Sequence, residues 1–280
     1  MLKVAKGIGK LALIGFFLIL IFFPYLWAVS TSLKPDGETQ VYPPAWIPKQ
    51  IEWSNYVYIW KVVPLARYFE NTLIVSVIST LIAVVLALLG AYAFSRFRFR
   101  GKGALAVMLL ATEMIPGTLF LIPYYMLFIA FSNFTGIPMV ATYHGLILTY
   151  IAFSLPFAVW MLRGFFDAIP QDLEAAAEID GCTKTQAFWR IAVPLILPGV
   201  VAVGVISFIH TWNEMLFASA LTNDATRTVV LGLTDYRNKF HVNWNYVTAA
   251  GIVVSLPVLV IFTVLQKYIV SGLTAGAVKQ

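Results

Sequence analysis

Six stretches of this chain, roughly residues 11–30, 73–94, 104–131, 144–162, 199–221 and 247–269, hold too few polar groups to remain in water. Each approaches or exceeds the ~20 residues that a helix needs to cross the hydrocarbon core of a bilayer. Inside hydrocarbon every backbone N–H and C=O must find a partner within the protein, which leaves only helices and closed barrels. Alternating strand patterns of the kind that build a membrane barrel are absent from the sequence, so the barrel is disfavoured. Composition agrees: 60% of the residues are hydrophobic, 11% are charged, and mean hydropathy is +0.83, far outside the soluble range. The fold class is therefore an all-α membrane protein with six transmembrane helices.

Lys3, Lys6 and Lys10 precede the first run, a pattern shared by signal peptides and signal-anchors. The run is long enough to span, so a retained anchor is expected rather than a cleaved leader. The turn FSRFRFRGKG gathers Arg96, Arg98, Arg100 and Lys102 between the second and third spans. By the positive-inside rule this turn is cytoplasmic, and both termini follow it inside. Residues 31–71 and 222–245 then lie outside. The first of these begins with four prolines and continues with Trp53, Tyr56, Tyr58 and Trp60, which suits an interfacial helix after Ser54. The second keeps Val229, Val230, Leu231 and Leu233, unlike a solvated linker, and is expected to be structured. The net charge of +6 sits beside hydrophobic spans, with no groove-facing basic helix, so nucleic acid is not a partner. Cys182 is the single cysteine, which rules out an intrachain disulfide.

One long polar segment, residues 164–198, interrupts the apolar runs on the positively flanked side. Pro170 stands where a helix start loses nothing by its missing N–H, and Asp172 and Glu174 favour the positive end of that helix. Ala175, Ala176 and Ala177 make it narrow enough for another protein to approach. Gly181 permits a reversal, and Thr183 with Gln186 has the form of a capping box for a second helix. Ala187, Phe188 and Ile191 then share a face by spacing, and Pro194 and Pro198 close the segment. Helix, glycine turn and helix together form a knob suited to pressing into a partner. Ionisable groups inside spans are costly and tend to be functional, which singles out Glu113, His210 and Glu214. Pro116-Gly117 should break the third span just after Glu113. His210 and Glu214, four apart, are expected on one helix face. Trp212 and Tyr124 are rings able to stack on a ligand, although packing between helices explains them equally well. Gly9-Lys10 and Gly101-Lys102 lack the earlier glycine of a P-loop, so the chain has no nucleotide site of its own.

The run EAAAEIDGCTKTQAFWRIAVP, residues 174–194, resembles the cytoplasmic EAA loop of ABC importer permeases. Gly181, Ile191 and Pro194 fall at its spacing, with Val193 in place of leucine. Ala175 stands where that loop carries glutamate, and Glu174 lies one position upstream. MIPGTLFLIPYY, SLPFAVWMLRGFF, HTWNEMLFA and QKYIVSGLTAGAVK extend the similarity over nearly the whole chain, toward the second-permease type of carbohydrate importers. The resemblance implies a type I ABC importer permease fold, with an anchor and extracytoplasmic segment in 1–72 and a permease core in 73–280. It implies a second homologous permease, two ABC ATPases that use ATP and magnesium, an extracytoplasmic sugar-binding protein, and a di- or oligosaccharide as substrate. No cofactor would be held by this chain. Glu174, Ala175, Ala176, Asp180, Gly181, Phe188, Ile191 and Pro194 become candidates for coupling to the ATPase, with Lys279 and Gln280 as a second candidate contact. Glu113, Tyr124, His210, Trp212, Asn213 and Glu214 become candidates for the substrate path. A polyol or glycerol phosphate is the nearest alternative cargo. A membrane-embedded enzyme built on Glu113, His210 and Glu214, or an ion-coupled transporter, is the alternative of another class.

Overall fold

Backbone groups that cannot reach water have to be bonded locally, and the computed structural model meets that demand almost entirely with helices. It describes residues 2–237 and 241–277. In order these are α1 Leu2–Ser32, α2 Asn55–Val62, α3 Leu65–Arg96, α4 Lys102–Met114, α5 Gly117–Thr135 and α6 Tyr143–Asp167. They continue with α7 Asp172–Ile179, α8 Lys184–Ala187, α9 Val193–Leu195, α10 Leu197–Trp212, α11 Leu216–Leu221, α12 Val229–Gly232 and α13 Trp244–Ala277. Among the described residues, five helices are long and apolar enough to cross a membrane. A sixth span is obtained if Lys184–Leu195 and Leu197–Trp212, bent by 74°, are taken together. The helix expected after Ser54 is present as α2.

Two breaks interrupt the expected spans. The third is cut at Ile115-Pro116, as its proline requires, leaving α4 and α5. The fifth, expected to run unbroken to Leu221, stops at Trp212. Asn213 and Met215 leave helical geometry there, and the short α11 starts afresh.

One unit comprises residues 1–67 and 232–256. Its centre is Asn55, whose buried amide donates to the carbonyls of Ser32 at 2.8 Å and Lys34 at 2.9 Å. Asn55 also accepts from Asn245 at 3.1 Å, while Tyr236 donates its hydroxyl to the Ile59 carbonyl at 2.6 Å. A buried amide with every group engaged ties extended chain to helix where apolar contacts alone would not fix a register.

The other unit comprises residues 68–231 and 257–280. Small residues let its helices close: Ala87 and Ala91 of α3 and Ala158 of α6 are fully buried in one cluster with Phe166, Phe188 and Val203. Asn71 donates to the Ala225 and Arg227 carbonyls at 3.0 and 2.8 Å and accepts from the Tyr143 hydroxyl at 2.6 Å. Thr72 accepts from Val229 N at 2.7 Å. The segment after α11 is thereby held to α3, which is why it keeps apolar residues and forms α12.

Gly145 opens α6 against the preceding turn: a Cβ there would lie 1.8 Å from the Met139 carbonyl oxygen. Gly145→Ala should lower stability by about 1–3 kcal/mol, the usual cost of overpacking. Gly164→Ala, where a Cβ meets nothing, should not. Thermal unfolding of the two detergent-purified variants distinguishes them, and equal midpoints would contradict this packing.

Candidate functional site

The loop between α6 and α10 is built as its residues dictate at the first turn and departs from them at the second. Asp180 N bonds Ala176 O at 3.0 Å, Gly181 N bonds Glu178 O at 3.1 Å, and Cys182 N bonds Ala177 O at 2.9 Å. With Gly181 at φ +91° this is a glycine-terminated C-cap of the Schellman type, a conformation L side chains rarely adopt. The capping box expected at Thr183 and Gln186 is formed in both directions, at 2.9 and 3.3 Å.

Beyond it the chain makes a π-helical turn over Phe188–Ala192. One extra residue in that turn rotates the helix beyond it, so the buried set is Ala187, Phe188, Ala192 and Ile196, and Ile191 is only half-buried. The face expected from regular spacing is corrected accordingly. Phe188 is buried in an aromatic cluster, its ring 4.6 Å from that of Tyr92. Glu174 is also turned inward. Its Oε1 meets Arg96 Nε at 2.7 Å, with both side chains only 8% exposed, and its Oε2 accepts from the Tyr92 hydroxyl at 2.6 Å. Arg96 reaches on to the Ile169 carbonyl at 3.2 Å. The last turn of α3 thus grips α7 through a buried, hydrogen-bonded ion pair.

Ala175, Ala176, Asp180 and Gly181 are left on the surface with Pro194. Beside them stand two apolar side chains that residue spacing does not single out, Ile179 at 86% exposure and Trp189 at 48%. Both are visible in the sequence as apolar residues of a polar loop, but spacing alone does not turn them outward. Lys279 and Gln280 lie outside the described residues.

A second constellation lies where the helices break. A cavity of about 260 Å³ is lined by Glu113 of α4, by Tyr150, Phe153, Ser154 and Phe157 of α6, and by Ser207, His210, Thr211 and Glu214 at the end of α10. An adjoining cavity of about 500 Å³, against Tyr124 and the α4–α5 break, shares Glu113 and Phe153 with it. His210 and Glu214 do not share a helix face, because α10 has already ended. Glu214 instead caps α11, accepting from Phe217 N at 2.8 Å and Ala218 N at 3.0 Å, and also takes the Tyr150 hydroxyl at 2.9 Å. Trp212 is buried between Phe69 and Phe208, so its ring is not offered to a ligand. Asn213 spends its amide on the Ile209 carbonyl at 2.9 Å. Among the described residues no three His, Cys, Asp or Glu side chains are grouped to hold a metal ion.

Residues 80–275 match the family described as binding-protein-dependent transport system inner membrane component. The chain is 34% identical to the sulfoquinovosyl glycerol transport system permease protein SmoH of Agrobacterium fabrum, over 92% of this chain and 88% of that one. It is 36% identical to the trehalose transport system permease protein SugB of Mycobacterium tuberculosis, over 91% and 92%. Among solved structures, a bacterial ABC transporter involved in import of the acidic polysaccharide alginate aligns with TM-score 0.77 at 20% identity, covering 95% of this chain and 97% of the other. At that identity the likeness concerns the fold.

Removing one member of a buried ion pair strands the other, typically at a cost of about 3–5 kcal/mol. Glu174→Gln should therefore release α7 from α3 and speed hydrogen exchange across residues 172–192, leaving α5 unaffected. Unchanged protection there would show that the aromatic cluster alone holds the loop.

Proposed function

The chain belongs to the binding-protein-dependent transport system inner membrane component family and is a multi-pass inner-membrane permease subunit of an ABC importer, and on that premise we propose an assembly and a cargo. It pairs with a second, homologous permease, stands on two ATPase subunits that consume ATP and magnesium, and receives a carbohydrate from an extracytoplasmic binding protein. The orientation is that of the positive-inside rule, with both termini and residues 164–198 in the cytoplasm. The relatives are permeases for a sulfoquinovosyl glycerol and for trehalose, which supports a saccharide cargo without choosing among saccharides.

The observation that carries the coupling role is the exposed face of α7. Ala175 and Ala176 keep it narrow, Ile179 supplies an apolar anchor, and Gly181 turns the chain back at once. Glu174 and Phe188 serve the same role from the inside: they fix the knob to α3 and leave the contact to their neighbours. Movement imposed on α7 by a partner would be delivered to α3 through a short, desolvated ion pair instead of a flexible linker. The cavities at Glu113 and His210 form this subunit's share of the substrate path. Glu214 positions α11 beside them, and Trp212 packs the helix that carries His210. The membrane-embedded enzyme has less support, since the Glu214 carboxylate is already committed to three donors.

A non-glycine residue at φ +91° costs roughly 1–2 kcal/mol, and at Gly181 a Cβ meets no atom of this chain. Affinity purification from detergent-solubilised membranes should recover an ATPase with wild type and at least tenfold less with Gly181→Asp. Failure of wild type to bring an ATPase, under conditions that preserve membrane complexes, would overturn the coupling role.

A further inference from the structure

Glu113 lies on a helix otherwise destined for hydrocarbon, yet it is exposed and lines both cavities. A carboxyl so placed has to face water or a polar partner. Around the smaller cavity the polar groups are two carboxyls, Glu113 and Glu214, with the His210 imidazole and the hydroxyls of Tyr150, Ser154, Ser207 and Thr211. Ser207 Oγ is buried with no hydrogen-bond partner among the described residues, which leaves its bonding capacity unspent. Among the described residues, no lysine or arginine lines either cavity. The remaining walls are aromatic, and Phe157 stacks on His210 with centroids 6.2 Å apart.

From these contacts we infer that the cavity is a charge filter: it passes an uncharged, hydroxyl-rich saccharide and refuses an anionic one. The Glu113 carboxyl, unlike Glu214, is left to accept the hydrogen bonds that sugar hydroxyls donate, and aromatic faces take the apolar faces of the ring. A carboxylate, sulfonate or phosphate on the cargo would instead meet like charge, with none of the fork-shaped donors that bind such groups. Within the importer reading, on which this inference rests, trehalose-like cargo fits and glycerol phosphate does not. Family membership leaves that choice open, because the relatives include permeases for sulfoquinovosyl glycerol and for trehalose.

The test measures the filter without needing the cargo. Ser154→Cys, in a Cys182→Ser background, is labelled in permeabilised membrane vesicles holding the whole importer. The probes are a cationic trimethylammonioethyl and an anionic sulfonatoethyl methanethiosulfonate. Their rates are normalised to those at native Cys182 in the parent protein, and Phe157→Cys serves as a second position should Ser154→Cys not fold. The cationic reagent should be favoured at least tenfold, and Glu113→Gln should reduce the preference to threefold or less. Equal rates, a preference for the anion, or no reaction with either reagent at both positions would overturn the filter. Recovery of the ATPase is scored in the same vesicles. A failed filter with the ATPase present leaves the importer intact, whereas selective labelling without the ATPase removes the importer and keeps the cavity.

Discussion

The absence of water from hydrocarbon constrains this molecule more than any single contact. A helix satisfies its own backbone, so every place where a helix stops has to be covered by something else. Three such places organise the permease core: the α4–α5 break at Pro116, the end of α10 at Trp212, and the π-helical turn before α9. At the second, the Glu214 carboxylate takes two backbone N–H groups of α11 that would otherwise be orphaned. The first two are also where the cavities lie. On the importer reading, a passage for a polar solute forms where helices are interrupted, because there freed backbone groups join the polar side chains of the neighbouring helices.

The same economy applies at the loop. An exposed knob has to be mobile enough to respond to a partner and stiff enough to transmit force. Its outer face is alanine, isoleucine and a glycine turn, with little to unpack. Its inner face is Glu174 against Arg96, with the Tyr92 hydroxyl completing the carboxylate and its ring against Phe188. Buried ion pairs add modest net stability, but they define geometry sharply, because misalignment leaves a charge unpaired. That property suits a joint better than a hinge.

Much of this was legible in the residues. Apolar run length marked the spans, Pro116 marked the break, and Thr183 with Gln186 marked the start of α8, because each acts through its own backbone or its nearest turn. What escaped was decided by tertiary contact. Regular spacing put Ile191 on one face with Ala187 and Phe188, whereas the π-helical turn gives that place to the buried Ala192. Spacing likewise put His210 and Glu214 on one helix, and a helix end at Trp212 intervened. Glu174 read as a surface acid because nothing local reveals an arginine some eighty positions earlier in the chain. The loop's surface anchors, Ile179 and Trp189, were visible as apolar residues but not as outward-facing ones.

Cys182 gives the most direct access to the coupling role, since it is the only cysteine and adjoins the glycine turn. A benzophenone maleimide attached there in native membranes and photolysed would report what the knob touches, with the joined peptide read by mass spectrometry. Coupling through this knob predicts a crosslink to an ATP-binding subunit. A crosslink to an extracytoplasmic protein, or adducts with lipid alone, would contradict it.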